Sequence, residues 1–404
     1  MLVQSDRSQR VQQILERVTV GALYMYAVCS VISISALQAA YICALVTWAV
    51  RVYLQGHTRQ LYLPLLMPFS AFALASALAT ITAVEPYHSL VEFRNVFEAL
   101  LFFLVVNQVT TEERATTLLR VLMASGTVMA LYGLTQSLAH GVAFRVHGTM
   151  SIYMTFAGLI MLVALMTLAQ LLLRTHRRQV LWVLPVLLIS IASLVMTHTR
   201  SAWLGFLAGC GVLLGLHKKV FLLTLPPLVL AVFLLVPQAV QTRALSIFDR
   251  RGITAQERLS MWSSALRIIR DHPWTGVGMG AMTRVYQRYR EPDGPVDPAR
   301  RIGHLHNNVL QVAAERGLLG LACWLWIWLA YGWQTWRIYR CLGSEQARAK
   351  ALVVGSLASV VAFHVEGLFE HTFGTSVVIT LVYFLMALPF VVQRAHGNAG
   401  VWAS

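Results

Sequence analysis

Apolar residues run along this chain in stretches of roughly 20, the length an α-helix needs to cross hydrocarbon. Such windows fall at Val18–Ser35, Ala36–Tyr53, Leu61–Val84, Val96–Val109, Ala115–Ala139, Ile152–Leu173, Val180–Thr197, Ala202–Leu216, Val220–Val236, Val309–Tyr331, Ala351–Leu368 and Thr375–Val392. The pattern predicts an all-α integral membrane protein with about twelve transmembrane helices, not a barrel. Eleven also fits, because the first two windows nearly touch and the fourth is short. The first window is too long, and too closely followed by others, for a cleaved signal peptide.

One polar interruption breaks the rhythm. The chain divides into N-terminal helices over 1–236, a large loop over 237–308 and C-terminal helices over 309–404, which together make one membrane domain. A loop of ~70 residues is far above the usual connection length and points to function. Within it, "ERLSMWSSALRIIRDHPWTGVG" predicts a helix with Leu259, Trp262, Leu266 and Ile269 on its apolar side and Glu257, Arg258, Ser263, Arg267 and Arg270 on the other. It is too short and polar to span, so it is expected to lie at the membrane surface. His272-Pro273 ends it, and Gly276, Gly278 and Gly280 read as a flexible exit. "EPDGPVDPARR" follows as a proline-rich turn region.

Composition agrees with the pattern. Hydrophobic residues make up 57% of the chain and charged residues 12%, with mean hydropathy +0.63. A soluble protein could not cover that apolar surface with so few charges. The net charge of +15 does not call for nucleic acid, because Lys and Arg gather in the cytoplasmic loops of membrane proteins. With the N-terminus inside, "RVYLQGHTRQ", "TTEER", "RTHRRQ", "HKK", "RIYRCLGSEQARAK" and "QRAH" also lie inside. "EPYHS", "HGVAFRVHGT", "THTRS", the long loop and "EGLFEHTFG" then lie outside. The long loop departs from the charge rule, with eleven arginines and no lysine against six carboxylates; long loops translocate regardless of charge. The five cysteines have no metal-ligand spacing, so neither a zinc site nor a structural disulfide is expected.

Polar groups next to hydrocarbon are costly, and "GHLHNNVLQVAAERGLLGL" places several at the start of a span. His306 and Gly317 stand eleven residues apart, about three helical turns, which puts both near one face if the helix is continuous. Gly317 and Gly320 read as small residues that permit close helix contact. From the residues alone, His306 and Asn307 read equally as a helix cap or as part of a site. Arg200, with His198 before it, falls in a tight outer turn; its fork suits bidentate phosphate binding or snorkelling to headgroups. Arg258 lies one turn from Trp262 and reads also as an ordinary solvated charge. Arg145 and His147 occupy another outer loop. Glu315 and Arg316 are expected to pair, and Glu366 and Glu370 lie near the last outer turn. Asp293 and Asp297 could bind a cation but sit in turn chemistry. No phosphate-cradling glycine loop, nucleophile elbow or zinc motif is present.

The run "HNNVLQVAAERGLLG", a His-Asn pair, nine residues and Gly-Leu-Leu-Gly, resembles the signature of bacterial O-antigen ligases. "HPWTGVGMG" and "TRSAW" are similar to the wider ligase and polymerase superfamily. The resemblance implies a GT-C-like glycosyltransferase of the bacterial inner membrane with its active site facing the periplasm. Its donor would be O-antigen linked to undecaprenyl pyrophosphate, its acceptor the lipid A–core oligosaccharide, its surroundings membrane lipids. The family inverts the anomeric carbon without a metal ion or cofactor. Carried over by motif, Arg200 and Arg258 would hold the pyrophosphate, and His306 would orient or deprotonate the acceptor hydroxyl. Arg145, His147, Asn307 and Trp262 are further candidates for substrate contact. An O-antigen polymerase or a protein O-oligosaccharyltransferase would share the donor. A flippase would instead carry ionisable residues at mid-bilayer in several spans, whereas here they gather at the outer ends.

Overall fold

The computed structural model describes residues 2–56, 61–173, 177–247, 249, 252–292, 294–296 and 302–397, which leaves Asp293 and Asp297 outside the described residues. The described chain is helical, with no strand. Its helices are α1 (Leu2–Cys29), α2 (Ile34–Leu54), α3 (Leu66–Ile81), α4 (Pro86–Phe93), α5 (Leu100–Gln108), α6 (Glu112–His140), α7 (Tyr153–Leu173) and α8 (Arg177–Met196). They continue as α9 (Arg200–His217), α10 (Leu225–Leu235), α11 (Gln238–Leu245), α12 (Ile253–Asp271), α13 (Met282–Tyr289), α14 (Asn308–Cys341), α15 (Ala347–Gly367) and α16 (Ser376–Gly397).

Each of the twelve apolar windows falls largely on helical chain, and among the described residues six helices are long and apolar enough to cross a membrane: α2, α6, α7, α14, α15 and α16. The others are shorter, broken or, like the 28-residue α1, less apolar. The fourth window is a composite in which 3-10 helix over Arg94–Ala99 joins α4 to α5. The ninth begins as 3-10 helix over Lys219–Thr224 before α10.

α7 and α16 form the centre, where Phe156, Ile160, Val163, Phe384 and Phe390 are fully or nearly fully buried. α9 lies against α15 through Gly205 and Gly209, one turn apart. A Cβ at Gly205 would meet the Ala362 carbonyl oxygen at 2.7 Å, and one at Gly209 the Ala358 oxygen at 3.1 Å. In lipid, such backbone-to-backbone approach supplies the dispersion contact that replaces a hydrophobic drive.

The connections sort to two ends. At one end, Arg51 bonds Glu16 (2.7 Å) and Gln108 (3.0 Å), Tyr62 Oη donates to Gln393 (2.7 Å), Arg394 donates to the Val106 carbonyl (3.1 Å) and His396 pairs with Glu112. These are the segments the charge pattern puts inside. At the other end, the loops expected outside converge: Val84 N donates to Val277 O (3.0 Å), Ser89 Oγ to Met279 O (2.9 Å), and Arg284 pairs with Glu85.

Two local expectations are corrected. α14 is not continuous across its polar start: Gly317 has φ 66° and ψ −175°, which kinks the helix, and His306 precedes its first residue. His306 and the Gly317/Gly320 pair are therefore not aligned by helical spacing. Nor is the glycine loop a free exit. Val277 N donates to Ala314 O (2.9 Å), Gly278 N to Glu315 O (3.0 Å) and Leu318 N to Pro273 O (2.7 Å), so the loop docks into the kink. A Cβ at Gly317 would collide with the Trp274 carbonyl, and one at Gly276 with the Glu315 backbone. Both glycines keep the two backbones within hydrogen-bond reach.

α12 packs through Ser260, Met261, Ser264, Ala265 and Ile268 against Val277, Met282, Tyr286, Leu305 and Ala314. Leu259 and Leu266, on the side the sequence marks as apolar, are exposed. Small residues let α12 sit close to its neighbours, and the large ones are left on the outer face.

Candidate active site

The converging loops enclose a cavity of about 250 Å³ lined by Arg145, Arg200, Arg243, Arg258, Glu257, Tyr153 and His306, among others. Four guanidiniums and a histidine from five separate segments thus meet in one place. Their positions follow from local structure.

The turn between α8 and α9 is held by His198, which takes a left-handed backbone (φ 52°) and anchors its ring nitrogen Nε2 on the Val142 carbonyl at 2.9 Å. That conformation presents carbonyl oxygens to two arginines. Arg145 donates to Thr197 O (3.3 Å) and His198 O (3.1 Å), and Arg243 donates to His198 O (3.3 Å). The Arg145 guanidinium also stacks on the Tyr153 ring, 3.4 Å from its centroid. Arg200, the first residue of α9, is fixed by the Ser246 backbone oxygen and by Ser246 Oγ at 2.9 Å.

On the other wall, α12 supplies Arg258, which faces Glu370 at 3.5 Å from the connection between α15 and α16. Glu370 also binds His306 Nδ1, at 2.8 Å. His306 has a left-handed backbone (φ 49°) and lies just before Asn307, which caps α14 by accepting from Leu310 N (2.9 Å) and donating to Leu368 O (3.0 Å). Trp262 Nε1 donates to Leu305 O (3.1 Å), which pins the same segment to α12.

Cations packed this closely repel one another. Burial first, and then the Arg243 and Arg200 charges, push Arg145 down to about 10, while Tyr153 opposes them. Burial lowers Arg258, and the Glu370 charge opposes it. Burial would raise Glu370, but the hydrogen bond and charge of His306, with the charges of Arg258 and His304, hold it below the usual carboxylate range. Arg145 remains a cation at neutral pH, and a bound polyanion would relieve the mutual repulsion.

Of the residues singled out in the sequence, Arg145, Arg200, Arg258 and His306 line this cavity. The other three candidates do structural work beside it. Asn307 is the helix cap. Trp262 is a clamp. His147 turns its Nδ1 to the Met150 carbonyl at 2.8 Å. Glu315 and Arg316 do pair, at 3.1 Å, in the kink of α14. Glu366 is fully buried, and its oxygens make no hydrogen bond among the described residues.

Sequence reasoning missed Arg243, one arginine among eleven in the loop with nothing in its surroundings to mark it. It noted Glu370 without seeing its two partners, because 64 residues separate Glu370 from His306. His304, His306 and Glu370 also form a group whose ligand atoms lie within 4.8 Å of one another, close enough to hold a cation. Two of the three are already engaged in the His306–Glu370–Arg258 chain.

Residues 185–325 match the family model described as O-antigen ligase. The matched segment contains Arg200, Arg243, Arg258 and His306, and it supports membership of the O-antigen ligase superfamily. No curated protein matches the sequence.

Proposed function

We propose that this protein is an O-antigen ligase. It would transfer a glycan from undecaprenyl pyrophosphate to a sugar hydroxyl of the lipid A–core oligosaccharide, at the periplasmic face of the bacterial inner membrane. The observation that carries the reading is the convergence of Arg145, Arg200, Arg243 and Arg258 with a carboxylate-held His306 on one cavity.

In the proposed step the acceptor oxygen attacks the anomeric carbon from the face opposite the leaving group, and the bond to the pyrophosphate oxygen breaks. The hydroxyl proton passes to His306 Nε2, and Glu370 stabilises the imidazolium through Nδ1. The leaving electron pair stays on undecaprenyl pyrophosphate, whose charge the guanidiniums neutralise. Undecaprenyl pyrophosphate is already a stable anion, so no acid is needed. Fixed cations in a partly dry site do what a divalent ion does in other transferases, so neither metal nor cofactor enters the scheme. Inversion at the anomeric carbon follows from a single displacement.

Deleting the gene from a host with smooth lipopolysaccharide, then complementing with Arg258→Ala or His306→Ala, tests the reading. Both variants are expected to leave the core uncapped. Wild-type capping by either would overturn the assignment, and loss of polymer on the undecaprenyl carrier itself would point to a polymerase. Purified enzyme is expected to retain activity with a chelator present; abolition would refute the metal-free scheme.

A further inference from the structure

A second cavity, of about 450 Å³, lies beside the first and has a different character. Its walls carry Phe72, Phe93, Phe97 and Phe373, and its polar groups include Glu92 and Glu98. Glu315 also lines it but is paired with Arg316, which leaves Glu92 and Glu98 as its remaining carboxyl groups. The cavity over the arginines is cationic. Between the two stands a thin layer of imidazoles: His371 lines the second cavity, His306 lines the first, and the His304 ring lies 4.3 Å from His306 and 5.8 Å from His371. Burial, followed by the His304 and Arg316 charges, pushes His371 down to about 3, so it adds no positive charge.

The backbone is shaped around this space. The α-helix gives way to 3-10 over Arg94–Ala99 with no glycine or proline to force it, and that segment carries Phe97 and Glu98 into the lining. Irregular backbone among membrane helices is tolerated where it lines a cavity. Phe97 is half exposed there (53%), its ring 5.8 Å from Phe93 and edge-on to it.

Aromatic faces beside carboxylates suit one ligand chemistry. Sugar rings present apolar C–H faces that pack on phenyl groups and hydroxyls that donate strong hydrogen bonds to carboxylates. Among the described lining residues no unpaired arginine or lysine is left to hold a phosphate, since Arg316 is taken by Glu315. We infer that the second cavity binds an uncharged saccharide, the acceptor end, and presents its hydroxyl toward His306 from the side opposite the pyrophosphate. This rests on the ligase reading for the identity of the acceptor, and it adds a specificity: the sugar held here is unphosphorylated.

The test uses full-length protein in nanodiscs and delipidated core oligosaccharide, intact or enzymatically dephosphorylated. Saturation-transfer NMR is expected to show the dephosphorylated saccharide binding at least as tightly as the phosphorylated one. Phe97→Ala/Glu98→Gln is expected to weaken it about tenfold, the loss expected when a hydrogen bond to the carboxyl group and the ring packing are removed. In transfer assays, Glu92→Gln/Glu98→Gln should raise acceptor KM about tenfold and leave donor KM within about twofold.

Tighter binding of the phosphorylated form, absence of binding to wild type, or an unchanged acceptor KM in a variant with wild-type melting would each overturn the inference. A rise in donor KM instead would place the donor or its lipid tail in this cavity and overturn it as well. The binding arm needs no catalysis. Absence of transfer by wild type would therefore sink the ligase reading alone and leave the saccharide result to stand or fall by itself.

Discussion

Replacing Glu370 with glutamine keeps its size and its ability to accept from His306 but removes the negative charge. The side chain is 6% exposed and its partners His306 and Arg258 are 13% and 21% exposed, so solvent screens the lost charge weakly. A charged hydrogen bond at 2.8 Å becomes a neutral one just when His306 must carry a proton. The difference between the two kinds of bond is about 1–1.5 kcal/mol, or roughly 5- to 12-fold in kcat. Donor KM should change little, because all four arginines remain. The assay is transfer from lipid-linked glycan to lipid A–core by purified enzyme at saturating donor. A Glu370→Gln enzyme with kcat within about threefold of wild type would refute the role given to the carboxylate. The same residue gives an acid signature. Its folded pKa lies below the ordinary value of 4.5, so its stabilisation is present above that pH and is lost as pH falls toward the lowered value. Melting of wild type should drop below pH 4.5 more steeply than that of Glu370→Gln; parallel curves would contradict the shift.

Three further outcomes follow from the geometry. Arg243→Ala removes a cation from the cavity and a donor to the His198 carbonyl, and donor affinity should fall about 10- to 100-fold in equilibrium binding with undecaprenyl pyrophosphate. Gly317→Ala puts a Cβ against the Trp274 carbonyl at a positive φ, and should destabilise the protein by about 3 kcal/mol in denaturant unfolding in mild detergent. Glu315→Ala strands Arg316 and removes the acceptor for Gly280 N (3.0 Å) and Gln311 Nε2 (2.9 Å); a loss of about 3–5 kcal/mol should appear as poor recovery of folded protein, and near-normal recovery would show that the pair matters little.

The sequence by itself determined the class, because the length and spacing of apolar windows are local properties that the bilayer reads directly. It also separated the polar segments into two sets, and the described contacts of each set gather at its own end of the bundle. Arg145, Arg200 and His306 could be named because each lies near a span boundary, where a charge is conspicuous, and Arg258 because it sits on the loop's amphipathic helix one turn from Trp262. Only the tertiary structure could join them. Arg243 looks like any other loop arginine until the His198 carbonyl orients it. Glu370 gains a role only through a contact across 64 residues. The kink at Gly317 was invisible to helical spacing, because a docked loop, not an intrinsic breaker, makes that conformation pay. Local pattern fixes which segments are helices; which polar groups face one another depends on how those helices pack, and that depends on close approaches such as Gly205 and Gly209 against α15.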